Sequence, residues 1–217
     1  GVIASHFIHS RNKEYVASGI DLDVLSFGTN ENYIFEGIKV YSLSSFEKSL
    51  KNKNYDIVLS HAPNIRNHYR FLKKYSDRFN HIIYFFHGHE VLVTSKIYPK
   101  PYNFEASSFF SKLMRYIYDR TKLVIWRRYF TQTYNKSQFI FVSNWMKDMF
   151  EKFINIDPDF IKNRSHIIYN CIGEKFETLE YDYNSIKEYD FITIRNMLDK
   201  SKYGVDIVCR IAENNPQ

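Results

Sequence analysis

The chain has 217 residues, room for one full α/β domain and part of a second. Hydrophobic residues make up 44% and charged residues 25%, ordinary for a globular protein, but 18 Tyr and 19 Phe against 7 Gly and 5 Pro predict a core of large rings. Cys171 and Cys209 form no CxxC pair and no apolar run approaches the roughly 20 residues of a membrane-spanning helix, which argues against a disulfide framework, a zinc ribbon and a transmembrane protein.

Taken in chain order, short β-branched and aromatic runs predict strands at 2–4, 22–27, 38–42, 56–60, 81–86, 139–142, 166–169 and 189–194. Helical patterns fall between them at 13–18, 45–51, 67–75, 106–125 and 144–154. Several strands are apolar throughout, as expected where helices cover both faces of a parallel sheet. The alternation predicts a doubly wound α/β fold with a Rossmann-like, parallel sheet. The opening residues read as a short strand and not as a signal peptide, so a cytoplasmic protein is expected.

Two helices have readable faces. Ser143 is a good N-cap for a helix whose apolar side is Met146, Met149, Phe150 and Phe153. In the long helix Phe110, Leu113, Met114, Ile117 and Thr121 share one side with Val124 and Ile125, while Lys112, Arg115, Asp119 and Lys122 take the other. Arg128 falls on the apolar side, which predicts a break near Ile125.

Ligands of open parallel sheets bind at the carboxyl ends of the strands. Three predicted strand ends deliver histidines there: His6 and His9, then His61-Ala62-Pro63-Asn64, then His87-Gly88-His89-Glu90. His87, His89 and Glu90 also allow a metal, although an H-x-H pair without further ligands is weak evidence. No Gly-x-Gly occurs, so the dinucleotide fingerprint and the P-loop are absent, and no Gly-x-Ser-x-Gly elbow supports a serine hydrolase. The run 190–194 ends on Arg195, and Lys200 and Lys202 precede Gly204 at the start of a further helix. Such an arrangement suits a diphosphate clamp: arginine grips oxygens bidentately, and the helix N-terminus adds positive potential.

These pieces resemble the family 4 retaining glycosyltransferases, whose two Rossmann-like lobes form the glycosyltransferase-B fold. The likeness rests on Phe86-His87-Gly88-His89-Glu90, on Phe141-Val142-Ser143-Asn144-Trp145-Met146, on Ile167-Ile168-Tyr169-Asn170 with Phe176, and on Arg195 through Lys202 to Gly204-Val205-Asp206. The resemblance implies an acceptor-side lobe at 1–180 and the first strand and helix of the donor lobe at 181–217. The family's paired-glutamate motif would then lie beyond Gln217. It further implies that His87 faces the transferred sugar and that Arg195 with Lys202 or Lys200 neutralises the leaving nucleoside diphosphate. His6, His61, Asn64, Gly88, Glu90, Ser143, Asn144 and Asn170 would line the cleft. The expected reaction moves a sugar from a nucleotide-sugar donor to a glycan or lipid-linked sugar acceptor with retention, without a metal or other cofactor. The alternative is a non-catalytic lobe that acts as a partner in polysaccharide assembly. The chain departs from the family in lacking a glycine-rich loop after the first strand and in carrying Ile194 and Cys171 where glycines are usual.

Charge points to the partner. Residues 100–136 hold eight basic side chains against Glu105 and Asp119, a surplus equal to the whole chain's +6. Arg115, Lys122, Trp126, Arg127, Arg128 and Phe130 therefore form a candidate surface for an anionic membrane, with a core helix bearing a solvated basic side as the competing reading. Nucleic acid is not expected, because the segment carries no groove-reading or RNA-stacking motif.

Overall fold

The computed structural model describes residues 6–105, 108–170, 178–189, 192–194 and 198–215. The predicted strand at 2–4, the residues 190 and 191, Arg195, Cys171 and Phe176 lie outside them. Strands β1 (Val24–Ser26), β2 (Tyr33–Phe35) and β3 (Ile38–Ser42) form a small sheet in the order β1-β3-β2. Strands β4 (Tyr55–His61), β5 (Phe79–Phe86), β6 (Ser137–Phe141) and β7 (Ser165–Ile167) form a second sheet, parallel throughout and in chain order. The helices are α1 (His6–Ala17), α2 (Leu43–Ser49), α3 (His68–Tyr75), α4 (Thr94–Ile97), α5 (Phe109–Gln132), α6 (Asn144–Ile154), α7 (Pro158–Lys162) and α8 (Val205–Asn214). The protein is thus an α/β fold with a Rossmann-like parallel sheet flanked by helices. Among the described residues the four-stranded sheet shows no reversal of strand order, the feature that doubly wound topology adds.

The sheet is held by rings, as the composition predicts. Alternate residues of β5, Ile82, Tyr84 and Phe86, join Phe139 and Phe141 of β6 on one face, all fully buried. Helix α5 lays Trp126 and Phe130 over them, stacked on each other at 5.0 Å and 9°, and α6 adds Phe150 at 5.1 Å from Phe86. Offset and edge-on pairs of this kind contribute about 1 kcal/mol each beyond the area they bury. On the opposite face Phe85 is covered by His61, stacked at 4.4 Å, and by the Arg11 guanidinium of α1 at 5.0 Å.

Local chemistry sets the element ends. The Ser143 hydroxyl accepts the Met146 N–H and caps α6, and Asn155 ends it in the left-handed region at φ 53°. Asp157 caps α7, whose first turn holds Pro158. The unforeseen strand β2 pairs antiparallel with β3 through Glu36-Gly37, both at positive φ (46° and 81°) as a tight hairpin turn demands. It is only three residues long and exposed, so neither length nor alternation betrays it.

Three expectations are corrected. Helix α5 runs unbroken for 24 residues and is turned over relative to the predicted faces: Asp119, Lys122, Leu123, Trp126, Tyr129 and Phe130 face inward, while Phe110, Leu113, Met114, Ile117 and Val124 face solvent. Arg128 therefore lies on the outer side, where it breaks nothing. His9 is on α1, where its Nε2 lies 2.9 Å from Glu36, and not at a strand end. Finally, Tyr189 and residues 192–194 carry no strand.

Candidate functional site

The carboxyl ends of β4 to β7 lie along one edge, because the register sets His61 beside Phe85, Phe86 beside Phe141 and Phe141 beside Ile167. The chain leaves each strand through a short link: the Ala62 N–H donates to Phe85 O at 2.9 Å and the Ile168 N–H to Phe141 O at 2.9 Å. Ala62 sits at φ 48° directly before Pro63, a combination that disfavours any residue with a Cβ. Beyond the ends of β4 and β5 opens a cleft of 670 Å³, walled by the 62–65 and 89–101 loops, by α5 and by the 200–202 segment.

Glu90 organises the loop after β5. Its carboxylate accepts the His87 N–H at 3.3 Å and the Gly88 N–H at 2.6 Å, closing the strand end on itself. Burial pushes the Glu90 carboxyl up, against the opposing pull of these backbone donors. Gly88 has an extended φ, and a Cβ there would meet no atom within 4 Å, so no tight turn requires glycine at that position. Across the cleft Asn64 accepts the Asn67 N–H through Oδ1 at 2.8 Å and sets Nδ2 3.0 Å from His68 Nδ1, fixing the entrance to α3.

A buried ion pair forms the floor. Lys122 Nζ donates to Asp119 Oδ1 and to His89 O, both at 2.8 Å, and Asp119 Oδ2 accepts the Thr94 N–H and hydroxyl, also at 2.8 Å. All of Lys122, Asp119 and Thr94 line the cleft. The 200–202 segment is tied to the opposite rim by Glu105, which accepts the Ser201 N–H at 3.0 Å and the Tyr102 N–H at 3.1 Å. The Ser201 N–H chiefly holds the Glu105 carboxyl below its ordinary range. Tyr102 donates to Asp206 at 2.6 Å, in the first turn of α8, which Gly204 opens at φ 64°.

The two candidate lysines both reach the cleft in different states. Lys200 lies 3.7 Å from Glu105 and 3.4 Å from Asp199. Lys202 has no acidic partner among the described residues and sits 4.7 Å over the Tyr203 ring.

His87 is placed elsewhere than expected. It does not line the cleft; its ring packs on Phe7 at 4.4 Å, and its Nε2 lies 3.4 Å from His61 Nδ1. Burial lowers His61 to about 3 and His87 to about 4, with the Arg11 charge adding to both. His61 Nε2 and His87 Nδ1 are buried with no hydrogen-bond partner among the described residues. His61 also borders a second, mostly apolar cavity of 220 Å³ between α1, β1, β4 and α3, a packing gap where the two sheets adjoin.

The remaining sequence candidates divide. Asn64, Glu90, Lys200, Lys202, Arg115, Lys122 and Trp126 meet at the cleft. Ser143, Asn144 and Asn170 follow β6 and β7 on the same edge but line neither cavity, and the Ser143 hydroxyl is occupied in capping α6. The His6 side chain and Arg195 lie outside the description. Of the proposed membrane surface, Lys122, Trp126 and Phe130 are buried, because the ring core and the ion pair claim that side of α5; Arg115, Arg127 and Arg128 are exposed. His87 and His89 diverge, since His89 Nδ1 meets the Tyr98 hydroxyl at 3.1 Å, and no group of three His, Cys, Asp or Glu among the described residues is arranged to hold a metal. Glu105 and Thr94, which line the cleft, and Tyr102, which bonds Asp206, were not anticipated: nothing in their local sequence marks them, and their contacts lie 25 to 104 residues away.

Comparison with known proteins finds no match: no family model, no curated protein and no solved structure is similar to the chain.

Proposed function

We propose that this chain is the acceptor-side lobe, with the start of the donor lobe, of a retaining glycosyltransferase that uses a nucleoside-diphosphate sugar. The observation that carries the reading is the meeting of Lys202 and Lys200 with Asn64 and Glu90 at a cleft beyond the strand ends, where parallel sheets hold their ligands. Lys202, without an acidic partner among the described residues, takes the leaving diphosphate, on which negative charge develops as the glycosidic bond breaks. Asn64 and Glu90 hold the rims of the cleft, their own hydrogen bonds already spent on α3 and on the His87 loop. Arg195 completes the clamp in this reading. His87, neutral near pH 7, packed on Phe7 and paired with His61 outside the cleft, takes no part in the transfer in this reading.

The test is calorimetric titration of the protein with uridine, guanosine and adenosine diphosphates and with inorganic pyrophosphate, alongside Lys202→Ala. Diphosphate binding that weakens about tenfold in the variant supports the reading. Failure of every diphosphate to bind at low salt sinks it.

A further inference from the structure

The first turns of α5 project from the fold with their apolar side outward. Phe109 is 82% exposed, Phe110 69%, Ile117 47% and Val124 50%. With Leu113 they repeat at helical spacing along about 22 Å, opposite the side that buries Trp126 and Phe130. Isolated exposed apolar residues need no explanation, but an ordered stripe of this length marks a docking surface.

The charges on the same helix say what docks there. Arg120, Arg127 and Arg128 lie on the outer side, and all three are exposed. The one acidic residue of α5, Asp119, is buried against Lys122, so no carboxylate of the helix offsets them. A two-fold contact between copies would set these cations against each other, because an isologous interface repeats the same patch on both sides. A bilayer surface with anionic headgroups matches both halves: acyl chains take the phenylalanines and phosphates take the arginines.

We propose that the outer face of α5, centred on Phe109, Phe110, Leu113 and Ile117 with Arg120, Arg127 and Arg128, is an interfacial docking site for an anionic lipid bilayer. The buried residues Trp126 and Phe130 hold the helix and do not enter the membrane. The proposal stands apart from the enzymatic reading, since it is read without donor or acceptor.

The experiment is co-sedimentation with vesicles of phosphatidylcholine alone and of phosphatidylcholine mixed with phosphatidylglycerol, at low and high salt. The natural chain is compared with Phe109→Ser/Phe110→Ser/Ile117→Ser and with Arg127→Ala/Arg128→Ala. All these positions are exposed, and circular dichroism verifies that the variants fold. The expected result is salt-sensitive binding to the mixed vesicles only, lowered about tenfold or more by the arginine pair and abolished by the serine triple. Absence of binding to mixed vesicles at low salt overturns the proposal, as does binding that the serine triple leaves intact. Self-association in sedimentation velocity that the serine triple abolishes, without vesicle binding, assigns the face to a second copy instead.

Discussion

His61 Nδ1 lies 3.4 Å from His87 Nε2, with the two rings 28° from parallel, so that strand ends β4 and β5 are joined by a pair of imidazoles neither of which can carry a charge near pH 7. Burial is the first cause for both, and each added proton would face Arg11. One ring donates and the other accepts, so the pair is either protonated at Nδ1 on both rings or at Nε2 on both.

Acid should therefore weaken the fold. Folded His61 and His68 are depressed by burial to about 3 and about 4, whereas an unfolded histidine titrates near 6.5. Between those values the unfolded chain binds more protons, so stability is full above about pH 6.5 and falls as pH drops toward 4. Each histidine contributes up to about 1.4 kcal/mol per pH unit in that window. Urea unfolding at a series of pH values reads the slope, and His68→Asn should lower it by close to one proton. A slope that His68→Asn leaves unchanged excludes His68 from the effect.

Breaking the floor of the cleft should be costly. Lys122→Ala strands the Asp119 carboxylate at 4% side-chain exposure with only the two Thr94 donors, a loss of about 3 kcal/mol or more. Arg127→Ala, one turn along on the exposed side, should change stability by less than about 0.5 kcal/mol. Guanidinium unfolding of the two variants separates a structural lysine from a surface arginine. Equal midpoints would mean that the pair contributes nothing to the fold.

Much of the fold was legible because the central strands are apolar on both faces. The predicted strand at 81–86 lies inside Phe79–Phe86, and 139–142 overlaps Ser137–Phe141 within two residues. Helix α5 was legible in its start, but neither in its length, since it runs past the break expected near Ile125 to Gln132, nor in its orientation. Both of its sides carry large side chains, and periodicity cannot tell that Asp119 and Lys122 neutralise each other inside while Phe109 and Phe110 face out. The site was half readable. The strand-end rule pointed to Asn64 and Glu90, and the basic run before Gly204 to Lys200 and Lys202, whereas Glu105 and Thr94 enter through loop contacts that no local pattern encodes, and Phe7 against His87 follows from the packing of α1.

The bend after β4 stores strain. Ala62 adopts φ 48°, where a Cβ costs about 1 kcal/mol relative to glycine. Ala62→Gly should recover part of that cost, offset by the greater freedom of glycine in the unfolded chain, and so raise the thermal midpoint slightly or leave it unchanged. Ala62→Val should lower it clearly, since a β-branched residue tolerates this region least. Differential scanning calorimetry of the pair checks the order; a more stable valine variant would show that the bend is not strained.

Glu105 holds the Ser201 N–H and lies 3.7 Å from Lys200, so it fixes the segment that carries both lysines to the cleft rim. Glu105→Gln keeps an acceptor for the N–H but removes the charge facing Lys200. If Lys202 is the diphosphate ligand, this change should leave pyrophosphate affinity within about twofold, whereas Lys202→Ala lowers it about tenfold. If Lys200 is the ligand instead, Glu105→Gln should tighten binding, because the lysine no longer has to leave a carboxylate to reach the anion. Glu105→Ala should weaken binding through either lysine by releasing the Ser201 segment. Titration of the four proteins with pyrophosphate at one salt concentration therefore decides between the lysines, and identical affinities throughout would remove the 200–202 segment from the site.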